Sequence, residues 1–124
     1  MDPQLQQLIP VIEKRLGEND ITEFKIGKSK CAKERFNDDE YSGYHFMSVI
    51  AEGNPEDINQ AEKDLIDYFL DESIVKNKCA NQRGGGAGNN DATEVYVAAK
   101  SSKLNYQESL LEPSDLFEFQ PIQL

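Results

Sequence analysis

Two segments of this chain carry their own helix-start signals. Asp2-Pro3 and Asn54-Pro55 each set an Asx cap before a proline at the first helical position. There the ring's fixed φ suits the helix and the missing N–H costs nothing. Behind the first, Leu5, Leu8, Ile9, Ile12 and Leu16 recur at helical spacing, and Gly17 closes the element. Behind the second, Ile58, Ala61, Leu65, Ile66, Phe69 and Leu70 mark the buried face of the longest helix. Each helix has one apolar stripe and must pack on something. Three short segments of β type are interleaved with them: Ile21 to Gly27, Tyr44 to Ala51 and Glu94 to Ala99. The order predicts an α+β fold, a small, mainly antiparallel three-stranded sheet flanked by helices.

The rest of the chain is read by composition. Residues 30 to 37 form a short basic helix, and residues 73 to 92 a loop that ends in Gly84-Gly85-Gly86-Ala87-Gly88. Such glycine density means flexibility, or backbone that approaches something closely. Residues 101 to 124 show no period and carry Glu108, Glu112, Asp115 and Glu118. We read one domain over residues 1–100, with its N-terminal helix at 1–17, and an acidic extended tail over 101–124. At 124 residues one modest core is expected. No apolar run approaches a membrane span, and Met1-Asp2-Pro3-Gln4 lacks the basic start of a secretory signal. Cys31 and Cys79 make no disulfide framework, so a reducing cytoplasm is the expected home.

The net charge of -10 speaks against nucleic acid, but its distribution does not. Ten of the 13 basic residues fall in three clusters: Lys25 to Arg35, Lys76 to Arg83, and Lys100 with Lys103. The acids lie on the helices and the tail. Basic clusters of this kind are ordinary solvated faces unless they converge in space.

Lys25-Ile26-Gly27, then Arg35 eight residues past Gly27, then Ala61-Glu62-Lys63-Asp64-Leu65-Ile66, then Asn81 before the glycines, follow one another in order. This series resembles the GIY-YIG nuclease superfamily, in particular its phage-type branch with a Lys-Ile-Gly second motif. The resemblance covers roughly residues 21 to 90. It implies a phage or mobile-element nuclease domain that hydrolyses DNA phosphodiesters. Arg35 would be the electrophilic arginine and Glu62 the ligand of one Mg²⁺. Lys25, Lys28 and Lys30 would hold phosphate. The chain departs from the family in two places. No strand bearing Gly-Ile-Tyr precedes Ile21, and Lys25 stands where the second tyrosine belongs. Thr93-Glu94-Val95-Tyr96-Val97 can take the position of the missing strand, as in a circular permutation. Tyr96, or failing that Tyr41 or Tyr44, would then be the general base.

Other readings stay beside these. Arg35 can pair with Asp38 or Asp39 at the surface, and Glu62 can face water. Cys31, His45 and Cys79 are a weak zinc set, without a close Cys-x-x-Cys pair. Ser114-Asp115-Leu116-Phe117 loosely resembles peptides that dock on bacterial sliding clamps. The alternative function is a catalytically inactive nuclease-like fold that binds a protein through the acidic tail or imitates DNA.

Overall fold

The computed structural model describes residues 1–18, 20–82, 90–102 and 119–124. The glycine run, most of the acidic tail and its Ser114–Phe117 peptide lie outside the described residues. Helix α1 (Pro3–Glu18) runs one residue past Gly17 and leads through Asp20, at φ 50°, into β1 (Ile21–Ser29). The basic segment that follows is a single helical turn, α2 (Ala32–Arg35), and not an eight-residue helix. A 3₁₀ turn (Asp39–Tyr41), strand β2 (Phe46–Glu52) and helix α3 (Pro55–Asp71) come next. Asn54 caps α3 as its type predicts, its side chain accepting from Asp57 N at 2.9 Å. Strands β3 (Glu94–Ser101) and β4 (Ile122–Gln123) complete the fold.

The sheet has four strands in the order β1-β3-β2-β4. The first three are antiparallel, and β4 lies parallel to β2. This corrects the three-stranded expectation, although the α+β class stands. The physical reason is that β4 spans only two residues, too few for any alternation to be read. Residues 119–124, expected in the extended tail, therefore belong to the domain: Phe119 is buried and donates its N–H to Ser48 Oγ at 3.1 Å.

Each face of the sheet has its own core. The larger takes Leu5, Ile12, Leu16, Ile58, Leu65 and Phe69 from α1 and α3 against Phe24, Ile26, Val95 and Val97. Phe24 and Phe69 meet edge to face at 5.5 Å. A bulge in β2 between Val49 and Ala51 turns both Ile50 and Ala51 toward this core. The smaller core lies on the other face, where Ala32 and Tyr41 cover Tyr96 and Ala98. No described helix is long and apolar enough to cross a membrane.

Candidate functional site

The site is built around the end of β1. Strand alternation sends Phe24, Ile26 and Lys28 to the α1/α3 face, and Lys25 and Gly27 to the face of the smaller core. Gly27 lies opposite Tyr96 in the register, and the Tyr96 ring lies over it. A Cβ at position 27 would collide with the phenol oxygen and its ring carbon. Glycine is required here by close approach.

On that face the side chains form one connected group. The Tyr96 and Tyr41 hydroxyls share a hydrogen bond of 2.5 Å, with their rings at 78°. The Arg35 guanidinium and the Lys25 ammonium both stand over the Tyr41 ring, at 5.6 Å and 5.8 Å. Arg35 donates through Nη1 to Asp38 at 2.5 Å and through Nη2 to Glu40 at 2.5 Å. The other oxygen of Glu40 takes Lys25. Burial opposes the charge of Arg35, but Asp38, Tyr96 and Glu40 outweigh it and hold the group above its ordinary value. Burial also raises the Tyr96 phenol, and the opposing pull of Tyr41 and Arg35 does not cancel it. Tyr41 and Tyr44 are raised for the same first reason. A phenol raised in this way keeps its proton at neutral pH, so the general-base role is disfavoured for all three in this arrangement.

Glu62 is on the opposite face of the sheet. It is buried in α3 among the residues of the larger core, its carboxylate 3.9 Å from Lys28 Nζ. Lys28 also donates to Asn59 Oδ1 at 2.7 Å. Burial raises the Glu62 carboxyl, and Lys28 offsets this only in part. The structure therefore brings Arg35, Tyr96 and Lys25 together, and Lys28 with Glu62, as two groups on either side of Gly27-Lys28. Lys30 belongs to neither: it pairs with Asp91 at 2.7 Å in the open.

Helix spacing gave a usable signal for Asn59, three residues before Glu62 on one helix face. Nothing in the sequence marked Glu40, whose role depends on where a turn folds back. Asn81 proves to be a strap. Its Oδ1 accepts from Ile26 N and its Nδ2 donates to Ile26 O, each at 2.7 Å, so it closes the outer edge of β1. His45 accepts from Ser101 N at 2.8 Å, and Cys31 and Cys79 are free thiols. Among the described residues no three His, Cys, Asp or Glu side chains gather as a metal cage.

Among the residues just described, Glu62 and Asn59 offer one carboxylate and one amide oxygen to a hard cation, but Lys28 already engages both and Glu62 is buried, so an Mg²⁺ that keeps most of its waters would have to displace the ammonium. Comparison of the chain with protein-family models, with curated proteins and with solved structures gave no match.

Proposed function

We propose that this chain is a GIY-YIG-like nuclease domain, hydrolysing DNA phosphodiesters with Mg²⁺, whose tyrosine has moved to the central strand. One observation supports the reading above the others. Tyr96, on β3 between β1 and β2, lies over the glycine of Lys25-Ile26-Gly27 and in the same group as Arg35. In this role Arg35 offers a planar fork to phosphoryl oxygens and Lys25 a point charge. Tyr96, holding its proton, orients water or a phosphoryl oxygen by hydrogen bonding. Glu62 and Asn59 would hold the metal, which supplies charge neutralisation and a more acidic water when bound. The test is nicking of supercoiled plasmid in Mg²⁺. Activity lost in both Arg35→Ala and Glu62→Ala is the expected result. Activity retained in both, or none in the wild type, rejects the assignment.

A second reading has its own observation. Lys25, Lys28, Lys30 and Arg35 each face a carboxylate of this same chain, which leaves little free positive charge at these four positions for DNA. That suits an inactive fold that engages a protein partner. Truncating the tail is a poor test, because it strips β4 and Phe119 from the sheet. Neutralising Glu108, Glu112, Asp115 and Glu118 is the cleaner one: loss of a captured partner supports this reading, and a salt-sensitive grip on duplex DNA with no partner present counts against it.

A further inference from the structure

The ion-pair group over Tyr41 links four charged side chains, all at least partly exposed, between 29% and 49%, so each pair in it is open to water and can exchange partners. Its geometry is that of a ligand site with the ligand in place. Two cations from different elements, Lys25 on β1 and Arg35 on α2, converge on the two oxygens of one carboxylate, Glu40. Two oxygens of a phosphoryl group can be held in the same way.

The geometry points to an internal plug: Glu40 occupies an oxyanion clamp formed by Lys25 and Arg35, and a phosphodiester binds there only when Glu40 swings out. This rests on the nuclease reading for the identity of the ligand, not for the clamp itself. Tyr41, next in sequence, is buried at 3% exposure and tied to Tyr96. Rotation of the Glu40 side chain therefore leaves both cations over the same ring, already in position. Asp38 holds the other arm of Arg35 and keeps the guanidinium from turning away. A clamp closed most of the time weakens apparent affinity by the fraction of time it is open. Exposed ion pairs are individually weak, so a closed preference of about tenfold is expected.

The experiment is anisotropy of a fluorescein-labelled DNA duplex titrated with full-length protein in EDTA, where no metal-dependent cutting occurs. Glu40→Gln is expected to bind about tenfold more tightly than wild type. Asp39→Asn removes the same charge one residue away without touching either cation, and is expected to match wild type. Adding Arg35→Ala to Glu40→Gln is expected to abolish the gain. The plug is overturned if Glu40→Gln binds like wild type, if Asp39→Asn gives the same gain, if the gain survives Arg35→Ala, or if neither protein binds. Thermal melting checks the fold. If Glu40→Gln melts early, Glu40→Asp, too short to bridge both cations, must show the same tightening or the plug fails. Absence of nicking in Mg²⁺ would remove the nuclease reading and leave this binding result standing.

Discussion

At the scale of single residues, Gly27 and Glu62 carry the most specific consequences. Gly27→Ala pushes a methyl into a phenol that cannot retreat, because Tyr96 is pinned by Tyr41 and by the strand register. A loss of about 1–3 kcal/mol in urea denaturation is expected. Gly17→Ala meets nothing within 4 Å and serves as the control. Equal effects at the two positions would contradict the close approach. Glu62 gives a pH signature. Its carboxyl is raised in the fold by burial, so the folded state binds more protons than the unfolded one and stability falls as pH rises. The loss begins near the ordinary carboxylate value of ~4.3 and is complete above the raised folded value. Glu62→Gln escapes it. In EDTA, the stability of the variant relative to wild type should rise with pH across that window and be flat on either side. A difference that ignores pH would show that burial does not control this carboxyl. The sequence marked Gly27 by a local pattern, a glycine after an apolar strand residue, whereas Glu62 was named only through the resemblance, and the plainer expectation that it faces water is corrected by its burial. Nothing in the sequence hinted at Glu40, whose contacts with Lys25 and Arg35 exist only once α2 and the 3₁₀ turn fold back over the sheet.

At the scale of elements, the capped helices and the three main strands were legible because each is specified by its own neighbours in sequence. Elements that depend on distant partners were not. β4 is two residues long and exists through pairing with β2. The basic helix expected over residues 30 to 37 shrinks to one turn, because after Arg35 the chain turns to place Tyr41 under the sheet. Asn81 was noticed for its place before the glycines, yet its work is to satisfy the outer edge of β1. Asn81→Ala leaves the N–H and C=O of Ile26 without that partner. A cost of about 1–3 kcal/mol is expected, read by chemical denaturation. An edge so uncovered should also self-associate at high concentration. An unchanged midpoint would mean that water replaces the amide at no cost.

At the scale of the whole molecule, the sheet separates two of the charged groups, which approach each other at the end of β1. Tyr96, Arg35 and Lys25 lie on the face of the smaller core, Lys28, Asn59 and Glu62 on the face of α3. The order of strands that sets β3 at the centre is a long-range property, so the sequence offered Tyr96 only through analogy with a permuted family. Arg35 and Glu62, which the resemblance assigns to one nuclease site, stand instead in two groups on opposite faces of the sheet. A phosphodiester served by both would have to lie across the rim formed by Gly27 and Lys28. The most direct measurement is the rate of Mg²⁺-dependent plasmid nicking by Tyr96→Phe, which keeps the ring over Gly27 and removes only the hydroxyl. A fall of about 10²-fold is expected, in a protein that still folds at the assay temperature although the Tyr41 hydroxyl loses its partner and the melting point drops. Nicking at the wild-type rate by this variant would contradict the account.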